Sequence, residues 1–95
     1  MENTKLFAEI NESVFGGQLN IADFGSYDIT CDGELFKNVT LFGNDECYSG
    51  GEFYQFGICG DKVYRFYFEI PEGIEDLGDI DYNNAYRYDE CTGEF

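Results

Sequence analysis

Two runs in this 95-residue chain alternate apolar and polar side chains on either side of a tight turn, and they constrain its fold more than anything else in it. The first is "YDIT" (27–30), then Asp32-Gly33, then "ELFKNVTLF" (34–42). The second is "EFYQFGIC" (52–59), then Gly60-Asp61, then "KVYRFYFEI" (62–70). Asp-Gly favours two-residue turns whose twist matches that of paired strands, and Gly-Asp between two alternating runs is likewise a hairpin turn, so each run predicts a β-hairpin. In 62–70, Tyr64, Phe66, Phe68 and Ile70 share one face, and Val63, Arg65, Tyr67 and Glu69 share the other. Pro71 cannot donate to a strand ladder and ends the run. Between the hairpins lies a loop rich in glycine and acid, "GNDECYSGG" (43–51), and "QLNIADF" (18–24) is a candidate edge strand.

One segment carries a helical period instead. Over residues 4–15, Leu6, Ile10 and Val14 recur at i, i+4 and i+8 with Phe7 and Phe15 beside them. Asn3 or Thr4 can cap its start, Gly16-Gly17 supplies a stop, and Glu2, Glu9 and Glu12 fall on the wet side. After Pro71, "GIEDL" has the makings of one helical turn and "NNAYRY" of a short strand. No repeat or linker divides the chain. The expected fold is α+β, a single domain over 1–95. One N-terminal helix packs on a four- to five-stranded antiparallel sheet built from hairpins, with an acidic C-terminal tail segment.

Charge decides which partners are plausible. Twenty acids against five bases give a net charge of −15, yet aromatic residues make up 19% of the chain, far more than a disordered acidic tail carries. Nucleic acid and anionic membranes would be repelled, whereas a basic protein or a cation would be attracted. The N-terminus lacks the basic and apolar regions of a signal peptide. A cytoplasmic location follows as the expectation, that of a host cell if the chain is phage-encoded. There Cys31, Cys47, Cys59 and Cys91 would be reduced thiols.

Side-chain chemistry argues against an enzyme. The absence of histidine removes the usual general base and the usual partner of a serine or cysteine nucleophile. Ser13, Ser26 and Ser49 have no base near them in sequence, and the glycines lack the spacing of a phosphate-binding loop. The cysteines form no Cys-x-x-Cys pair of the kind structural zinc sites use. No cofactor is expected.

The densest feature is the stretch from 72 to 90. Glu72, Glu75, Asp76, Asp79, Asp81, Asp89 and Glu90 face a single base, Arg87, with Tyr82, Tyr86 and Tyr88 threaded among them. Tyrosine offers rigid contact area and carboxylates meet arginine and lysine, so these ten residues, Arg87 apart, are the expected partner-binding surface. The same stretch contains Asp79, Asp81, Asn83 and Glu90 at positions 1, 3, 5 and 12 of a calcium-binding EF-hand loop. The match is incomplete. Position 6 is Asn84 instead of glycine, Pro71 and Gly73 stand where the incoming helix belongs, and five residues are left for the outgoing one.

A solvated acidic surface, as in proteins of salt-loving organisms, would account for the charge but not for the aromatics. Duplex DNA carries a negative charge about every 1.7 Å of its axis, an array that a compact domain with 20 carboxylates can imitate. The expected function is a small acidic inhibitor occupying the basic nucleic-acid-binding groove of a larger protein, such as a CRISPR effector, a restriction enzyme or a nuclease. In size, charge and lack of catalytic residues the chain is similar to phage-encoded nucleic-acid mimics, the anti-CRISPR and anti-restriction inhibitors. That similarity is one of composition and assigns no family. An immunity protein against a basic nuclease toxin would use the same physics, and a calcium-binding module using 79–90 is a third reading.

Overall fold

The computed structural model describes the backbone of residues 2–91 and the side chains of residues 5–91. Along the chain come α1 (Glu2–Phe15), a 3-10 turn (Ile21–Asp23), β1 (Ser26–Cys31), β2 (Glu34–Phe42), β3 (Tyr48–Ser49), β4 (Glu52–Cys59) and β5 (Lys62–Tyr67). A second 3-10 turn (Leu77–Asp79), β6 (Asn84–Ala85) and β7 (Arg87–Cys91) complete it. The class is α+β, with one α-helix among the described residues. The capping expected of Asn3 or Thr4, and the wet-side position of Glu2, lie outside the described side chains.

Both hairpins form about the expected turns, although the last strand, expected over 62–70, ends at Tyr67 and the chain leaves the sheet three residues before Pro71. Cys31 pairs with Glu34 across Asp32-Gly33, whose φ angles of 51° and 82° are the left-handed values that such a turn demands. Cys59 pairs with Lys62 across Gly60-Asp61. The β1–β2 ladder slips by one residue between Tyr27 and Ile29, opposite Asn38 at φ 57°, whose N–H is held by the Asp28 carboxylate at 3.0 Å. Residues 18–24, expected as an edge strand, instead form a loop with a 3-10 turn that the Asn20 side chain caps.

The sheet departs from the expected four or five antiparallel strands. Among the described residues it has seven, in the order β6-β1-β2-β4-β5-β7 with β3 beside β4, and β6 runs parallel to β1. The acidic segment is therefore no free tail, because its last eight described residues lie in or between β6 and β7. These are the two outermost strands of the path, yet only Tyr86 separates them in sequence. Two edges joined by one residue must lie side by side, so the sheet curls into a small barrel. Tyr86 makes the switch: its N–H donates to the Tyr67 carbonyl at 3.0 Å while Ala85 still pairs with Cys31.

Curling gives the sheet two apolar faces where alternation implies one. Ile29, Cys31, Phe36, Val39, Leu41, Phe53, Phe66 and Phe68 fill the inside, joined by Ile80 and Ala85. Outside, Phe42, Phe56, Ile58 and Val63 are covered by Phe7 and Ile10 of α1. Burying each such large side chain contributes about 1.5–3 kcal/mol. The inside is filled so closely that position 57 has no room for a side chain: a Cβ there would lie 2.6 Å from the Phe66 ring and 2.7 Å from Val39. Along the helix the apolar stripe fades, Val14 being exposed while Phe15 turns edge-on to Phe56 at 5.8 Å. Gly16-Gly17 ends the helix with positive φ, and the Gly17 N–H reaches back to the Asn11 carbonyl at 2.9 Å. The buried Asn11 side chain then clamps the outgoing chain through both the N–H and the carbonyl of Leu19.

Candidate protein-docking face

Between β5 and β6 the chain runs as a strap over the barrel. Ile74, Leu77 and Tyr82 pack down on the inner core, and Ile80 is buried in it. Local bonds stiffen the strap. The Asp76 carboxylate caps the 3-10 turn at the Gly78 N–H (2.9 Å), the Tyr82 hydroxyl donates to the Leu77 carbonyl (2.8 Å), and Asp81 accepts from the Asn83 N–H (3.0 Å). With Ile74, Leu77, Ile80 and Tyr82 held down, the strap turns its carboxylates out. Glu69, Glu72, Glu75, Asp76, Asp79 and Asp81 are all exposed, and none of them forms an ion pair among the described residues.

The other acids expected at the site have a different setting. Asp89 and Glu90 lie on β7, where Arg87 bonds Asp89 at 3.1 Å and Lys62 approaches Glu90 at 3.9 Å. Arg87 also bonds Glu52 and stacks 4.6 Å over the Tyr67 ring. Thus the structure brings together Glu72, Glu75, Asp76, Asp79 and Asp81 on the strap and sets Asp89 and Glu90 apart beside bases.

The three tyrosines part in the same way. Tyr86 is 44% exposed. Tyr88 is half-buried, its ring 5.0 Å from Phe36 and its hydroxyl donating to Glu34 at 3.0 Å. Tyr82 stands edge-on to Phe68 at 5.1 Å. In a regular strand, residues 86 and 88 would share a face. They do not, because the chain changes partner strand at Tyr86.

Tyr86 borders a groove of about 470 Å³ together with Tyr48 and Ile70, with Phe53 and Phe68 beneath and Glu52 and Glu69 at its margins. On its other side is a hollow of about 280 Å³ lined by Glu69, Asp81 and Asn84. Tyr48 and Ile70, 49% and 38% exposed, were not among the site residues expected from sequence. A clue to Tyr48 existed, as an aromatic residue in a loop of glycines and acids. Burial, followed by the nearby Glu52 carboxylate, pushes the Tyr86 phenol above its ordinary value of 10.0, so at neutral pH the hydroxyl remains a donor.

The calcium-loop spacing does not close into a site. Asp81 spends both oxygens on Asn83 and Asn84, and Asn83 donates to the Asp28 carbonyl. Asn84 is paired with Thr30 of β1, whereas Glu90 lies beyond the bend at Tyr86, on β7, paired with Tyr64 of β5. Among the described residues no group of three or more carboxylates and thiols gathers as a metal site would. All four cysteines are unpaired. Burial raises the thiols of Cys31, Cys47 and Cys91 above their ordinary value, which leaves them poor nucleophiles. None of the described helices is long and apolar enough to cross a membrane. No family model, curated protein or solved structure matches the chain.

Proposed function

We propose that this protein is an acidic inhibitor that docks, through its strap and the Tyr86 groove, into a basic nucleic-acid-binding surface of a larger protein. One observation carries the reading: six strap carboxylates are exposed, without ion pairs among the described residues, directly beside an exposed aromatic groove. Charge alone would be satisfied by any solvated surface. Tyr48, Ile70 and Tyr86, each more than a third exposed around one depression, are what a solvated surface does not require. The strap also gives the charges a fixed spacing, since Ile74, Leu77, Ile80 and Tyr82 anchor the backbone that bears them. A rigid array loses little conformational freedom on binding, and its field accelerates encounter with a basic surface. Catalysis forms no part of the proposal, and neither does a cofactor or direct contact with nucleic acid or membrane.

The test is capture from a cell lysate at about 50 mM salt, elution at about 500 mM, and competition by duplex DNA. The reading expects a basic nucleic-acid-handling protein that is retained at low salt, released at high salt and displaced by DNA. Retention that saturating DNA leaves unchanged would contradict it.

A further inference from the structure

We infer that the Tyr48–Tyr86 groove is a receptor for an arginine side chain of the basic partner, with Glu69 as the carboxylate that receives the guanidinium. This rests on the docking reading above and names the chemistry of its anchor. Strap carboxylates in open solvent attract any cation alike, but the groove offers a more selective combination. Two half-exposed phenol rings wall it, Phe53 and Phe68 supply an apolar base, and Glu69 stands at its margin with no ion pair among the described residues. Glu52, the second carboxylate at the margin, is already engaged by Arg87.

A planar, weakly hydrated guanidinium gains from lying against an aromatic face and from the fork geometry of a carboxylate, whereas a compact, strongly hydrated ammonium gains less from either. The protein's own arginines display this preference. Arg87 lies 4.6 Å over Tyr67 while its two terminal nitrogens reach Glu52 and Asp89. Arg65 lies 5.4 Å over Tyr54. The groove presents the same parts, phenol ring and carboxylate, with the guanidinium place left to another molecule. Its volume, about 470 Å³, falls within the roughly 300–1,000 Å³ of typical ligand clefts.

The experiment titrates isotope-labelled protein with a hexa-arginine peptide and, separately, with hexa-lysine of equal charge, following backbone amides by NMR. Hexa-arginine is expected to bind roughly two- to fivefold tighter, the range of an exposed cation–π contact. Its largest shifts should fall at Tyr48, Gly51, Glu69 and Tyr86. Tyr86→Ala and Tyr48→Ala should each erase the preference for arginine, Tyr86→Phe should keep it, and Glu69→Gln should weaken arginine more than lysine. Equal affinities, with shifts spread along residues 72–81 and not at the groove, would overturn the arginine site while leaving acidic docking intact. If neither peptide binds at low salt, both readings fall. Two tyrosine variants, one on β3 and one at the β6–β7 junction, guard against one of them failing to fold.

Discussion

The barrel wall and the strap are built from similar residues and obey opposite rules. In β2, β4 and β5 aromatic and branched side chains point to both faces, one filling the barrel and the other lying under α1, so almost every second residue is fixed by packing. In the strap, Ile74, Leu77, Ile80 and Tyr82 touch the core from one side only, and the carboxylates between them are exposed, Asp76 and Asp81 accepting hydrogen bonds from chain neighbours two or three residues on. Sequence is constrained by volume in the wall and by charge in the strap. The difference teaches where a small acidic protein can concentrate repulsion without losing its fold: on a segment whose underside is nailed to the core.

The comparison breaks most visibly at glycine. Gly57→Ala puts a methyl group within 2.7 Å of Phe66 and Val39, and overpacking of that kind should cost about 2 kcal/mol or more and lower the melting temperature by roughly 10 °C. Gly78→Ala in the strap meets only Asp76, at an ordinary 3.4 Å, and should change stability by less than about 0.5 kcal/mol. Differential scanning calorimetry of the two variants checks the contrast. Equal effects would mean that the strap is packed as tightly as the wall.

Alkaline pH comes next. Burial raises the thiols of Cys31, Cys47 and Cys91 above 9.0 and the phenols of Tyr54, Tyr64 and Tyr82 above 10.0. Their neutral forms are favoured by folding, so this stability is complete below pH 9 and is lost as pH rises through the folded-state values. The melting temperature should hold between about pH 7.5 and 8.5 and fall steadily from about pH 9 to 11. Only Tyr82 of these groups belongs to the strap, so Tyr82→Phe should leave most of the fall in place.

The smallest effect on stability concerns the strap's charge. Glu72→Gln, Glu75→Gln and Asp79→Asn together relieve self-repulsion and should stabilise the fold by a few tenths of a kcal/mol at low salt, a gain that about 0.5 M salt erases. Thermal melts at the two salt concentrations measure it. Destabilisation instead would reveal a structural role for these carboxylates.

Legibility followed the same division. Hairpins were readable because Asp32-Gly33 and Gly60-Asp61 fix turns locally and alternation fixes the strands, so β2 and β4 begin and end where the sequence places them. Closure of the barrel was not readable. It depends on Tyr86 handing the chain from β1 to β5, a long-range pairing of two- and five-residue strands that no local period announces. The second apolar face was half visible in Phe56 and Ile58, but alternation assigns such residues to solvent unless a helix is known to cover them. At the candidate site, the acidic run was plain from composition, whereas the side each tyrosine takes was set by the partner switch. Ile70 escaped notice because it read as the last inward residue of a strand that in fact ends at Tyr67.

The central claim is that the strap, and not the charge of the whole molecule, meets the partner. Its most direct test is the association rate with the captured basic protein, measured for two triple reversals of equal charge. One set is Glu72→Lys, Glu75→Lys and Asp79→Lys on the strap. The other is Glu9→Lys, Glu12→Lys and Asp23→Lys, exposed positions on α1 and the 3-10 turn that follows it. The account predicts that the strap set slows association by about tenfold or more while the other set changes it only about twofold. Equal slowing by both sets would contradict it.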